Sequence, residues 1–187
     1  MFIQTETTPN PEVLKFIPGR DVLASGTREF KDEAQADASP LAQAIFTIPG
    51  VVRVFFGEDF VTVTKSPDRE WGLLKAPILA AIMDHFTGQE PLITEEAAED
   101  PGLTYEGDAA EIVAEIKSLL DSRIRPAVAQ DGGDILFSRF EPETGVVWLH
   151  MRGACAGCPS SAATLKSGVE NMLRHYVPEV TRVEQTL

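Results

Sequence analysis

Two cysteines, Cys155 and Cys158, are the residues of this chain whose type and spacing most directly suggest a chemistry. They stand in Gly153-Ala154-Cys155-Ala156-Gly157-Cys158-Pro159. The pattern places Cys155 in a loop after a strand, and Cys158 at or just before a helix start. Helix N-termini present unpaired N–H groups and a partial positive charge. Both favour a thiolate, so lowered cysteine pKa values are expected here. Gly153 and Gly157 remove side-chain bulk, which lets the backbone wrap closely around an ion or cluster.

Four chemistries fit such a pair. The thiols could be unligated and simply fill space, as small hydrophobes do. They could form a dithiol–disulfide redox couple, although Ala156-Gly157 is not a usual pair between redox cysteines, and the motif lies near the C-terminus of a small unit. They could join a zinc site, but tetrahedral zinc takes four ligands, and the histidines are only His85, His150 and His175. His175 lies at the far end of the helix that begins near Cys158, roughly 25 Å away at 1.5 Å per residue. Lastly, the thiols could hold part of an iron–sulfur cluster. A [4Fe–4S] cubane is normally held by four thiolates. One chain offers two, so this reading predicts a cluster bridging a homodimer. Four thiolates also suit a [2Fe–2S] cluster.

The elements that must position these thiols can be read from the flanking sequence. Asp108 and Glu111 have capping-box spacing, and Ile112, Val113, Ile116, Leu119 and Leu120 form one apolar helical face. Arg125-Pro126 interrupts that helix. Gln130-Asp131-Gly132-Gly133-Asp134 predicts a glycine turn. Strands are expected over 135–140 and 146–151, and a helix from Pro159 with Leu165, Val169, Met172, Leu173 and Tyr176 on one face. A last strand is expected over 180–183. The order is α-β-β-α-β. Asp131 and Asp134 read as turn residues supporting the fold.

The first half, residues 1–87, mixes strand and helix signals. Residues 2–7 and 13–17 read as extended, separated by Pro9-Asn10-Pro11. Ser39-Pro40 reads as an N-cap followed by Pro at the first helical position. Residues 51–56 and 60–64 read as a hairpin across Gly57-Glu58-Asp59. Leu74, Ile78, Ala81, Ile82 and Phe86 have helical spacing, with Pro77 near the start of the main helix and residues 71–74 a separate turn.

Between the halves, residues 88–108 hold seven acids (Glu90, Glu95, Glu96, Glu99, Asp100, Glu106 and Asp108) and no Lys or Arg. Like charges extend a linker, so a flexible acidic tether is expected. It joins a 1–87 domain to a 109–187 cysteine-bearing domain. The fold class is α+β, two small mixed domains.

Composition narrows the function. The net charge of −13 argues against a nucleic-acid binder. No stretch approaches the roughly 20 apolar residues of a membrane span. Two cysteines so close together are no secreted disulfide framework and suggest a reducing compartment. The N-terminus lacks signal-peptide and transit-peptide character. This predicts a bacterial cytoplasmic protein or an already processed mitochondrial matrix form.

Residues 151–166, Met-Arg-Gly-Ala-Cys-Ala-Gly-Cys-Pro-Ser-Ser-Ala-Ala-Thr-Leu-Lys, resemble the signature of the NifU C-terminal (Nfu) domain, and Gln130-Asp131-Gly132-Gly133-Asp134 matches it as well. Thr5-Glu6-Thr7-Thr8-Pro9-Asn10-Pro11, Lys15-Phe16 and the stretch 55–63 are similar to the Nfu N-terminal domain. The resemblance implies an iron–sulfur scaffold or carrier rather than an enzyme, with Cys155 and Cys158 as cluster ligands. It implies receipt of a [4Fe–4S] cluster from upstream assembly proteins and its delivery to apo iron–sulfur clients.

Overall fold

The computed structural model describes residues 1–88, 90–94, 103–157 and 159–186, the side chains of 159–161 excepted. The chain divides into two compact units, Met1–Ala98 and Glu99–Leu187. Four of the seven acids of the stretch 88–108, Glu95, Glu96, Glu99 and Asp100, lie outside the described residues, as does Cys158.

The first unit is a five-stranded antiparallel sheet with helices on one face. Its strands are β1 (Gln4–Thr7), β2 (Val13–Ile17), β3 (Arg28–Phe30), β4 (Val51–Phe56) and β5 (Val61–Lys65), in the order β1-β2-β5-β4-β3. Alternation along the strands sends Leu14, Phe16, Val54, Phe56, Val61 and Val63 into one core. Against them pack Leu41 and Ile45 of α1 (Pro40–Phe46) and Leu74, Ile78 and Ile82 of α2 (Trp71–Thr87).

Helix α1 begins as its sequence dictates: the Ser39 hydroxyl accepts from the Ala42 N–H at 3.2 Å, and Pro40 takes the first helical position. The expected hairpin forms, but β5 starts at Val61, because Phe60 belongs to the turn. The Gly57 N–H donates to the Phe60 carbonyl, and the Phe60 ring lies against the bare Gly57. Helix α2 corrects the separate turn expected over 71–74. It runs unbroken through Pro77. Burial of Leu74, Ile78 and Ile82 on both sides of the proline outweighs the missing N–H and the crowding of the preceding turn.

The second unit has the expected α-β-β-α-β order. Helix α3 (Asp108–Leu119) passes through a π-helical turn, Leu120–Ile124, into α4 (Arg125–Gln130). Pro126 has no N–H for the carbonyl four residues back, and widening the preceding turn lets the helical path resume. The expected Asp108 cap is corrected. Gly107, at φ 59°, is the cap residue and Asp108 is the first helical residue. Its charge then sits in the first turn beside Glu111, where the helix dipole favours it.

The sheet order is β6-β7-β8, with β6 (Gly133–Glu141) antiparallel to β7 (Val146–Gly153) and β8 (Arg182–Thr186) parallel to β7. Helix α5 (Pro159–Tyr176) makes the crossover. Ile135, Phe140, Val147, Leu149 and Val183 meet Ile116, Leu120, Val169 and Leu173 in the core. Tyr176, expected on the apolar face, is 42% exposed. The adjacent Val177 takes the buried place, and the Arg123 guanidinium stands 5.0 Å from the Tyr176 ring.

Candidate functional site

The site forms where β6 begins and β7 ends. Helix α4 stops at Gln130, and the Asp131 and Gly132 N–H groups donate to the Val128 and Ala129 carbonyls. Gly132 takes φ 81°, a backbone region that favours glycine, and turns the chain into β6. There Gly133 pairs with Gly153. The Ala154 N–H donates to the Gly132 carbonyl at 3.1 Å, tying the end of β7 to this turn. Gly153 at φ 62° reverses the chain, and the Ala156 N–H donates back to the Gly153 carbonyl. Cys155 is held between these points.

Its side chain points inward. Cys155 is 6% exposed and belongs to the hydrophobic core of the unit. The reason lies across the sheet. A Cβ on Gly133 would overlap Cys155 Sγ, and would stand 2.8 Å from the Arg152 carbonyl oxygen and 3.0 Å from the Cys155 nitrogen. Burial pushes the thiol up to about 12, and the negative charges of Asp131 and Asp134 add to the rise. This corrects the expectation of an accessible, acidified thiol: the core dominates at Cys155. Cys158, the other expected ligand, lies outside the described residues.

Asp134 is more than a turn residue. It is 3% exposed, and its carboxylate accepts two bonds from Arg125, Nε to Oδ1 at 2.8 Å and a terminal nitrogen to Oδ2 at 3.0 Å. Asp134 Oδ1 also accepts the Ile135 N–H. The other terminal nitrogen of Arg125 donates to Asp121, on the π-helical turn, at 2.9 Å. These carboxylates hold the guanidinium firmly charged, its pKa raised despite partial burial. In the sequence Arg125 shows only as the residue before a helix-breaking proline, and nothing there marks Asp134 as its partner.

The three histidines fall on three different elements. His85 is on α2 in the other unit, its pKa lowered by burial against the opposing charge of Glu90. His150 alternates with the buried Leu149 and Met151 on β7, and its Nδ1 is 3.3 Å from the Thr186 hydroxyl. His175 lies in the last turn of α5. Among the described residues no group of three or more His, Cys, Asp or Glu side chains could hold a metal ion.

Comparison with known proteins covers both units. The family model described as scaffold protein Nfu/NifU N terminal matches residues 3–89, and the NifU-like domain model matches residues 116–184. A human protein, "NFU1 iron-sulfur cluster scaffold homolog, mitochondrial", is 52% identical over 100% of this chain and 72% of its own length. The chain belongs to the Nfu/NifU family.

Another Nfu/NifU relative, "NifU-like protein 4, mitochondrial" of Arabidopsis thaliana, is 55% identical over 99% of this chain and 66% of its own. The present chain thus spans about two thirds of that relative's length. A solution structure of a NifU-like protein from Saccharomyces cerevisiae is 32% identical, covers 51% of this chain and 87% of its own, and has a TM-score of 0.47. No helix among the described residues is long and apolar enough to cross a membrane.

Proposed function

We propose that this Nfu/NifU chain is a non-enzymatic scaffold that carries a [4Fe–4S] cluster between two copies of itself and passes it to apo iron–sulfur proteins. Cys155 and Cys158 of each copy supply the four thiolates that such a cluster takes. The observation that carries the reading is the seating of Cys155 in a glycine-lined turn, in a chain whose first unit matches the scaffold protein Nfu/NifU N-terminal model and whose second matches the NifU-like domain model.

Ligation requires the thiolate, so loading releases the Cys155 proton and draws its sulfur out of the core. Client cysteines then replace the four thiolates one at a time. A cluster held at a subunit junction, with few ligands per chain, is suited to release. The domain bounds 1–87 and 109–187, joined by an acidic tether over 88–108, complete the proposal. The first domain engages a partner while the second delivers, which raises effective concentration without a new contact at the cluster. Upstream assembly proteins supply the cargo. The mitochondrial names of the relatives support a mitochondrial site of action over a bacterial cytoplasm. A buried thiol pushed up to about 12 suits a dithiol oxidoreductase poorly, because that chemistry needs an acidified attacking cysteine.

Anaerobic reconstitution of the full chain with iron and sulfide tests the proposal. The expected product is brown, holds about four irons per dimer, and activates an apo client. Cys155→Ala and Cys158→Ala should each give a folded, colourless monomer. A normal cluster on either variant would overturn the ligand assignment. Colourless parent protein that reduces disulfides would overturn the scaffold reading.

A further inference from the structure

The Arg125–Asp134 pair bears on the same site and rests on the scaffold reading above. Asp134 is 3% exposed, and a carboxylate so buried is retained only with its oxygens satisfied. Both oxygens are taken by Arg125, and Oδ1 also accepts the Ile135 N–H. Arg125 is fixed in turn through Asp121 on the π-helical turn. Such turns recur at functional sites. The arginine therefore links the helical segment to the first residues of β6.

Those residues are the ones that seat the ligand. Gly133 precedes Asp134 and leaves the space that Cys155 Sγ fills, while the Gly132 carbonyl accepts the Ala154 N–H. A shift of Asp134 moves Gly133, and with it the floor under Cys155. Only a planar fork can hold both carboxylate oxygens in this way; an ammonium at the same place acts as a point charge.

We infer that Arg125 is a positioning residue for Cys155: by gripping Asp134 with both arms of its guanidinium, it fixes the Gly132–Gly133 step against which the ligand turn is seated. Outer partners of metal ligands alter metal retention by 10–100-fold when changed, and that range sets the expected size of the effect.

The test uses the reconstituted full chain. Arg125→Lys keeps the charge and loses the fork, while Asp134→Asn keeps the shape and loses the charge. Each should stay folded by far-UV circular dichroism, lose cluster to a chelator about tenfold faster than the parent, and show an altered visible circular dichroism of the bound cluster. Val183→Ala, in the core of the same unit, serves as a stability control. It should lower the melting temperature while leaving cluster lifetime within about twofold of the parent, because it touches neither the grip nor the turn. Parent-like cluster lifetime in both Arg125→Lys and Asp134→Asn would overturn the inference. So would an equal loss in Val183→Ala. Should Arg125→Lys fail to fold, Asp134→Asn, which preserves side-chain volume, decides the matter. A parent chain that takes no cluster at all would instead overturn the scaffold reading.

Discussion

The sulfur of Cys155 occupies the space that a side chain at Gly133 would need. The two residues come from different elements, Gly133 from β6 and Cys155 from the turn after β7, so the site depends on the β6–β7 pairing.

Gly133→Ala is therefore expected to harm both fold and cargo. The new methyl group meets the Cys155 sulfur and also backbone atoms at 2.8 and 3.0 Å, which cannot swing aside. Overpacking of this kind costs about 1–3 kcal/mol. Urea denaturation should show that loss, and reconstitution should show weakened cluster loading. Parent-like stability would mean that the turn can open enough to take a methyl group at residue 133.

In the cluster-free Cys158→Ala variant, alkylation of Cys155 should be slow at pH 8, where a thiol at about 12 is ionised in roughly one molecule in ten thousand. Asp131→Asn removes one cause of the rise and should speed alkylation at alkaline pH. The sign for stability follows from the upward shift. Folding favours the protonated thiol, so this contribution is whole below the ordinary value of 9.0 and is lost as pH climbs towards about 12. Urea titrations between pH 8 and 11 should show the decline, and Cys155→Ala should remove this part of it.

What could be read from the sequence was what neighbouring residues decide among themselves. Ser39-Pro40 marks a helix start wherever it falls, and the α-β-β-α-β order of the second unit follows from periodicity and glycine turns. The cysteines declared themselves by type. Their setting did not, because Cys155 is buried through the register that places Gly133 opposite Gly153. The Arg125–Asp134 grip was hidden for a similar reason. Its geometry depends on a π-helical turn and on a strand that begins after a glycine reversal. The three-residue β3 is too short to show a period.

At α1, Ser39→Ala should lower the stability of the first unit by about 1 kcal/mol. The Ala42 N–H would lose its acceptor in a place where Ser39 is fully buried and water cannot substitute. Thermal unfolding measures the loss, and Ser39→Asp should recover part of it.

In α2, Pro77→Ala should have the opposite sign. Pro77 is exposed and lies inside a continuous helix, so alanine restores an N–H and relieves the preceding turn. A gain of about 1–3 kcal/mol is expected, less the flexibility alanine returns to the unfolded chain. A lower melting temperature would show that the proline ring makes a packing contribution of its own.

The parallel pairing of β8 with β7 has a consequence for the order of events as the chain folds. The turn that carries Cys155 is the near end of a crossover that runs through α5 and closes only when Arg182 meets Val146. Contacts so far apart in sequence form late, because the entropy of closing the intervening loop must be met first. A half-folded chain can therefore hold the β6–β7 hairpin, with Gly133 opposite Gly153, before β8 has joined the sheet. The turn that carries Cys155 is then anchored at its near end first, and β8 completes the sheet as a separate, later step.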